Sequence, residues 1–501
     1  MNDIVNPAVA GNVADVDLVG DLKNRIAKIP TEGPERFSKT REVLGLAAML
    51  SPIECEEVLR YMSNVTGQRV GPLREEMRSG RKQEPDHLAL ARAALARIGE
   101  DSVIHTETGT WLWRDRGVWA KADDTAIKQQ VQREIEASGH AVTAARVNGV
   151  ADVLRNEIFR PDHQFNVGRP DVVNCVNGEL ELLESGQFVL RQHCRENYRT
   201  TQIPVQYDPQ AIAPKFWQFL VDVFRDDMDR DQKIACVLEM MGYSLMPHAK
   251  HEKFVLLKGN GANGKSVLLK VLEALLGPKN VAGVKPSEFG NNFQRAHLHM
   301  KLANIVTELP EGKLIADDAL KAITSGEVTT VEQKNRNPFN MRAFATCWFG
   351  TNHMPHTRDF SNGLYRRAVI LGFNRTFGPA EKDPDLAEKL IAELPGILNF
   401  ALCFYAQALV RGFTVPASSK EAVDKWRNEA DQVRQFLDER CVDDPTGKVQ
   451  VRLLYTAFKN WAFEAGIRNI VSEKGMGDRL ENLGYGRKHS SGRWITGLRV
   501  K

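Results

Sequence analysis

The chain has 501 residues, 42% hydrophobic and 26% charged, which is enough for several domains with at least one large apolar core. A formal charge of +3 is close to neutral for this length; it permits a nucleic-acid partner without arguing for one and leaves that point to local charge. Seven cysteines (Cys55, Cys175, Cys194, Cys236, Cys347, Cys403, Cys441) form no C-x-x-C pair, which argues against a zinc ribbon or a disulfide framework and fits a reducing compartment.

In chain order, the first 25 residues, with acids at Asp3, Asp15, Asp17 and Asp21, predict a loose tail. They lack a basic segment followed by an apolar run, and no stretch reaches 18 uninterrupted apolar residues, so the expectation is a cytoplasmic protein without a membrane partner. Residues 36–81 have helical spacing, and the polar cluster Arg78–Asp86 reads as a linker. Thr108–Lys121 alternates aromatic and polar residues around an Arg114–Gly117 turn and predicts a hairpin. Residues 171–192 predict further hairpins, turning at Asn177-Gly178 and Ser185-Gly186. Residues 211–246 carry two amphipathic helices. Short apolar strands (FVLL, KLANIVTE, RAFATCWFG, AVILGF) then alternate with helices to about residue 376, the pattern of an α/β layer. Residues 384–440 read as helical with a break near Pro416, and a last compact unit runs from about Val449 to the end.

The strand FVLL leads into Gly259-Asn260-Gly261-Ala262-Asn263-Gly264-Lys265-Ser266, which fits G-x-x-x-x-G-K-[ST], and a leucine-rich helix follows. Glycines let backbone N–H groups turn inward around a phosphate, and the helix presents its positive end to the same anion. Lys265 would reach the β- and γ-phosphates of ATP, and the Ser266 hydroxyl would help hold Mg²⁺. Hydrolysis also needs an acid at the end of a second strand; Glu308 follows LANIVT and is the expected catalytic and metal-holding carboxylate, with Glu311 a second candidate. Residues 319–342 predict a helix end and two strands flanking a basic tip at Lys334-Asn335-Arg336, suited to a nucleic-acid backbone. A strand ends at Thr351-Asn352, where the Asn352 amide can face a γ-phosphate or a water. Arg366 and Arg367 precede another apolar strand, and in a ring one of them could reach a neighbouring subunit's nucleotide. His297 and His299 lack a third metal ligand, while His353 and His356 fall in the loop after Asn352.

Taken together, these elements resemble the superfamily 3 helicases, the ring-forming AAA+-type motors of DNA viruses, phages and plasmids. Asn263 before Gly-Lys-Ser matches their loop, Glu308 their second acidic motif, Leu320–Met341 their helix-hairpin motif, Thr351-Asn352 their polar sensor, and Tyr365-Arg366-Arg367 their finger position. The stretch from Asn174 to Pro209, including Asn177-Gly178 and Tyr207-Asp208-Pro209, is similar to the leader of the phage and plasmid primase-helicase group, which also resembles the poxvirus-type nucleoside triphosphatase. The resemblance covers roughly residues 90–501. It implies an ATP-dependent, Mg²⁺-dependent helicase of phage or plasmid DNA replication, translocating on single-stranded DNA as a homo-hexamer in the bacterial host cytoplasm. The chain departs from the group in two respects: Glu308 is followed by Leu309 rather than a second acid, and fewer than 90 residues precede the leader. Primer synthesis is therefore expected from a separate primase or polymerase.

The C-terminal stretch reads as helix, helix and hairpin, with Leu453, Leu454, Phe458 and Trp461 on one helix and Met476, Leu480 and Leu483 on the next. Arg487, Lys488 and Arg493 flank a Ser-Ser-Gly turn, as a basic wing for duplex or origin DNA would require, and the segment resembles the winged-helix tail of the helicase group. The expected fold is thus an α/β, AAA+-type P-loop motor with a helical and mixed leader and a C-terminal winged helix. Its expected divisions are a tail and small helical segment (1–86), a leader with hairpins (87–215), the motor (216–380), a helical lid or connector (381–440) and the winged-helix domain (441–501). Two other function classes stay open: a primase-helicase that makes primers, and an ATP-switched initiator or DNA-binding scaffold that does not unwind.

Overall fold

The computed structural model describes residues 17–80, 86–114, 117–334, 336–357, 359, 361–467, 470–489 and 492–501. Most of the expected tail, the middle of the expected linker, Asp115 and Arg116 of the first hairpin turn, Asn335 of the basic tip, and Ser490 and Ser491 of the wing lie outside them. The chain divides into two compact units, one of residues 1–103 and 123–159 and the other of residues 104–122 and 160–501.

The first unit holds α1 (Leu18–Ile26), α2 (Pro34–Ala47), α3 (Pro52–Thr66), α4 (Val70–Gly80), α5 (His87–Ile98), α6 (Asp124–Ala137) and α7 (Ala144–Glu157). The expected loose tail ends sooner than residue 25. Asp17 caps α1, accepting from the Gly20 N–H at 2.8 Å, and Leu22 and Ile26, one turn apart, are fully buried among Leu44, Val58 and Met62. Ser51 and Glu54 cap α3 reciprocally, and Pro52 supplies its first helical residue without leaving an amide unpaired. Helix α5 packs against both α6 and α7, burying Ala94, Val131 and Leu154.

The expected leader of 87–215 is not one body. Its helices belong to the first unit, whereas its strands belong to the second. The reason lies in the side chains of β1 (Val103–Thr106), β2 (Gly109–Arg114) and β3 (Val118–Lys121). Trp119 donates its backbone N–H to the Arg199 carbonyl at 2.7 Å and its indole N–H to the Arg195 carbonyl at 2.9 Å, while the Trp111 ring lies 4.5 Å from Phe165. A second antiparallel meander, β4 (Val172–Cys175), β5 (Gly178–Leu182) and β6 (Phe188–Arg191), turns at the expected glycines. Glu179 on β5 forms a buried ion pair with Arg199 at 3.1 Å and also accepts from Asn197 and from the Cys194 N–H, so its lone pairs are used.

Helices α8 (Pro214–Val223) and α9 (Arg230–Ser244) lead to a parallel α/β layer. Its elements are β7 (Phe254–Lys258), α10 (Lys265–Leu276), β8 (Val281–Ala282), α11 (Asn292–Arg295), β9 (Ala303–Val306), α12 (Asp317–Ser325), β10 (Val328–Val331), β11 (Phe339–Arg342), β12 (Thr346–Thr351), α13 (Asn362–Tyr365) and β13 (Ala368–Gly372). The five parallel strands run in the order β13-β7-β12-β9-β8, and β10 and β11 form a separate antiparallel hairpin. Both faces are covered, which is why these strands read as continuous apolar runs. In β7, Val255 and Leu257 enter one core with α8, α9 and α10, while Phe254 and Leu256 enter the opposite core with α12 and Phe349. Each such burial is worth roughly 1.5–3 kcal/mol.

The remaining elements are α14 (Leu386–Ile391), α15 (Leu394–Arg411), α16 (Ala417–Ala430), α17 (Gln432–Arg440), β14 (Cys441–Gln450), α18 (Val451–Glu464), α19 (Glu473–Asn482), β15 (Gly486–His489) and β16 (Arg493–Val500). Helix α15 is long and apolar enough to cross a membrane, yet Ile397, Leu398, Ala401 and Tyr405 are buried in the core against α9. The approach is close at Gly242, where a methyl group would lie 2.3 Å from the Ala401 carbonyl. The C-terminal sheet runs β14-β16-β15 against α18 and α19; the two helices and the β15–β16 hairpin fall where expected, and β14 is an added strand that the sequence reading does not include. Its core also takes Val433 and Phe436 from α17, with the Phe436 ring 5.5 Å from Phe458. The buried Asp431 at the head of α17 pairs with Arg479 of α19 at 2.5 Å. The expected boundary at 440/441 therefore falls inside this packing.

Candidate functional site

The glycine loop joins the carboxyl end of β7 to the amino end of α10. It reverses through left-handed backbone at Gly261 (φ 97°), Ala262 (φ 49°) and Gly264 (φ 89°). At Gly264 no side chain fits, because a methyl group there would stand 2.8 Å from Val223 Cγ2 on α8. The Ala262 carbonyl accepts from the Phe377 N–H at 2.8 Å, which ties the loop to the chain beyond β13.

Within the loop the side chains divide into braces and free groups. Asn263, expected among the ligand-contacting residues, is buried; its amide donates to the Phe373 carbonyl at 3.2 Å and its oxygen accepts from the Lys265 ammonium at 3.1 Å. Its side chain thus holds the loop, leaving only its backbone to face an anion. Lys265 also donates to the Gly259 carbonyl. Burial lowers the pKa of this ammonium, and the nearby Glu308 carboxylate acts in the opposite sense. Ser266 and Asn260 are exposed at the loop and have no side-chain bond among the described residues.

The same edge of the sheet gathers the other expected groups. Thr351 and Gly372 pair with Lys258 on either side of β7, and the Gly259 N–H donates to the Thr351 carbonyl at 3.1 Å. Asn352 therefore follows directly beside the start of the loop. Glu308 lies two residues beyond β9, where the Leu309 N–H donates to the Gly350 carbonyl at 2.9 Å. Glu308 is exposed and has no hydrogen-bond or ion-pair partner among the described residues, so its oxygens are available. Glu311 is drawn to His353 at 3.9 Å instead. A free carboxylate and a free Ser266 hydroxyl around a lysine-bearing loop form a hard-oxygen donor set that fits Mg²⁺. No group of three or more metal-ligating His, Cys, Asp or Glu side chains occurs among the described residues.

Sequence reasoning missed the support beneath the loop. Lys233 on α9 is fully buried, pairs with Asp227 at 2.9 Å and donates to the Gly372 carbonyl at 3.0 Å, and Asn374 donates to the other Asp227 oxygen at 2.7 Å. A cavity of about 330 Å³ opens between Lys233, Gly259, Asn260 and Asn374. The only sequence signal was a lysine inside the apolar run KIACVLEMM, which carries no address for its partners.

Arg366 and Arg367 stand at the opposite end of the sheet, because Ala368 pairs with Phe254, the first residue of β7. Both reach Glu252, at 2.6 and 3.0 Å. Arg367 is buried and also donates to Ser325 Oγ at 2.7 Å and to the Gly363 carbonyl, whereas the Arg366 side chain is half-exposed. Neither belongs to the loop of its own chain. Arg336 near the basic tip donates to the Thr108 carbonyl at 3.0 Å, and Lys334 makes no ion pair among the described residues. In the C-terminal sheet Lys488 and Arg493 are exposed, but Arg487 is held by Glu481 at 3.0 Å and Asp478 at 3.5 Å, so its charge is already neutralised.

Two family profiles match the chain: one described as "D5 N terminal like" over residues 91–225, and a "Family of unknown function (DUF5906)" over residues 257–367. Among curated proteins, "Putative helicase 184R" of Invertebrate iridescent virus 6 is 22% identical over 343 residues, covering 57% of this chain and 34% of that protein. "Putative helicase 022R" of Frog virus 3 is 25% identical over 229 residues, covering 40% and 23%, and "Putative helicase L207/L206" of Acanthamoeba polyphaga mimivirus is 22% identical over 380 residues, covering 67% and 38%. Residues 91–225 thus match a D5 N-terminal-like profile, and the chain is similar to viral putative helicases. This D5-like chain spans well under half the length of these viral relatives. Among solved structures, the apo NrS-1 C-terminal region (305–718) is similar at 13% identity and a TM-score of 0.47, covering 84% of this chain and 100% of that one. The second profile of the D5-like chain begins in β7 and ends at Arg367, so it contains the loop, Glu308, Asn352 and both arginines.

Proposed function

We propose that this D5-like chain is an AAA+-type P-loop motor that hydrolyses ATP with Mg²⁺ and translocates on single-stranded DNA as a homo-hexameric ring in viral, phage or plasmid replication. The observation that carries the reading is the convergence of the glycine loop, the unpartnered Glu308 and Asn352 on one edge of the parallel sheet. In this reading the loop's backbone amides and Lys265 bind the phosphates, Ser266 and Glu308 hold Mg²⁺, Glu308 orients the attacking water and receives its proton, and Asn352 aligns the γ-phosphate. Bound Mg²⁺ would offset phosphate charge as the bond to the leaving group lengthens.

Arg366, remote from its own loop and half-exposed, suits a finger supplied to a neighbouring subunit, and Arg367 suits a brace beneath it. The β10–β11 hairpin with Lys334 and Arg336 is the strand-contacting element. The C-terminal unit acts as a winged helix that meets duplex or origin DNA through Lys488 and Arg493. In this reading a separate primase or polymerase is a partner, and the site of action is the cytoplasm of the host.

The test is steady-state ATP hydrolysis with and without single-stranded DNA. Turnover should rise with DNA and fall at least about a hundredfold in Lys265→Ala, the loss expected when a preorganised charge contact to the transferring group is removed. Nucleotide binding with no turnover, on assembled protein with Mg²⁺ and DNA present, would sink the motor reading.

A further inference from the structure

A second recess in the larger unit has no place in the reading above. It is a cavity of about 800 Å³ beside β1 and β2, walled by the rings of His163, Phe165, His299 and Phe339, with the amides of Gln164 and Asn340 at its border. The rings are set by edge-on contacts: His163 lies 4.8 Å from Phe165, and His299 lies 5.0 Å from Phe339. Behind them Trp111, Trp119 and Tyr198 form a fixed aromatic wall.

Three further observations mark this place. Six non-glycine residues among those described have a left-handed backbone, and four of them, Asp162, Asn166, Tyr198 and Met300, lie in or directly behind the lining. Such strain is kept where the surroundings enforce it and often where a ligand is held. Here Asn166 is locked by Thr200, donating to its hydroxyl at 2.9 Å and accepting from its N–H at 3.0 Å. Next, His163 Nε2 is buried behind this lining without a hydrogen-bond partner among the described residues. Last, two cations meet at the mouth. Arg336 sits on the carbonyl of Thr108, which lines the cavity, and a methyl group built on Gly109 would lie 3.0 Å from Lys121 Cε and 3.3 Å from Arg336 Nη1. Neither cation has a carboxylate partner among the described residues. Burial and the Arg336 charge push the Lys121 ammonium down to about 8. Adjacent like charges without an ion-pair partner favour an anion between them. Glu107 and Asp162 also line the cavity, with the Glu107 carboxylate accepting from the Asp162 N–H at 3.3 Å.

We propose that the cavity receives one base of a single-stranded nucleic acid, stacked among its aromatic rings, while the adjoining phosphate is held between Lys121 and Arg336. The base edge meets Gln164 and Asn340. This rests on the reading of the β10–β11 hairpin as the strand-contacting element, and it adds the β1–β3 sheet as the opposing jaw. Every base has a π-face, so the recess tolerates any sequence.

The experiment is fluorescence anisotropy of a labelled single-stranded oligonucleotide on the full chain without nucleotide, so that absence of ATP turnover leaves strand capture readable. Lys121→Ala should weaken binding by about fivefold to tenfold and reduce the salt slope by about one phosphate. Phe165→Ala should weaken it by roughly tenfold, the loss expected for one stacked base. Photo-crosslinking of an oligonucleotide carrying 5-iodouracil to the wild-type chain avoids dependence on either variant folding, and its adducts should fall within residues 163–166 or 339–344. Unchanged affinity in both folded variants, crosslinks confined to other segments, or displacement of the strand as readily by thymidine monophosphate would each overturn the proposal.

Discussion

Arg366 and Arg367 are adjacent in sequence, share Glu252 and have different surroundings, and this difference gives their variants different expected outcomes. Removing the Arg367 guanidinium leaves Ser325 Oγ and the Gly363 carbonyl without their donor in a buried setting. Arg367→Ala should therefore destabilise the chain by about 1–3 kcal/mol in denaturant unfolding. Arg366→Ala removes a half-exposed pair and should change stability by less than about 1 kcal/mol. If Arg366 is the finger, the same change should cut DNA-stimulated hydrolysis by about a thousandfold in the assembled protein, read as steady-state turnover. Equal loss of stability in both variants would show that the two arginines do the same structural work. Asn263 teaches a related lesson at this scale: a residue at a motif position can serve the loop's own shape rather than its ligand.

Helix α17 decides a boundary that periodicity alone does not. Phe436 and Val433 are buried with α18, and Asp431 at its head is tied to Arg479 on α19. A fragment of residues 431–501 should fold cooperatively, with helical circular dichroism and a melting transition, whereas residues 441–501 should not. Two equally stable fragments would return α17 to the preceding helices. The strands and the loop were legible because their signals are local: β7 needs only a short apolar run, and the loop needs glycines before a lysine and a leucine-rich helix. The hairpins at Asn177-Gly178 and Ser185-Gly186 were legible for the same reason. Long-range partnerships were not. The buried Lys233 beneath the loop finds Asp227 and the Gly372 carbonyl only once α9 is packed against β13. Likewise, nothing in residues 87–215 announced that its helices and its strands would part company, because that depends on which aromatic surface Trp111 and Trp119 meet.

For the molecule as a whole, acid should act through buried neutral histidines before it acts through carboxylates. Burial, then the neighbouring His248, lowers His251 to about 4, and burial with the Lys121 charge lowers His299 to about 4. The unfolded imidazole titrates near about 6.5, so between roughly pH 6.5 and 4 the unfolded chain binds more protons and stability falls on acidification. Asp171, hydrogen-bonded by His248 at 2.8 Å and Tyr405 at 2.9 Å, is held below the usual carboxylate range, and its stabilisation is lost only at lower pH. The urea midpoint should therefore drop between pH 7 and 4.5, and His251→Leu should flatten that slope. A midpoint indifferent to pH across this window would mean that these rings are not held neutral.

The discontinuous course of the chain also sets an order in time. Residues 104–122 leave the ribosome before Asp123–Phe159, yet the surfaces that shelter Trp111 and Trp119 come later, around Phe165 and Arg195–Arg199. At about 5–20 residues per second, the intervening helices take roughly 2–7 s to emerge. Throughout that interval a tryptophan-rich ribbon waits for the partners that cover it. Newborn chains of this protein thus carry a brief, predictable window in which a holding chaperone, or a second nascent chain, can reach a surface that the finished molecule hides.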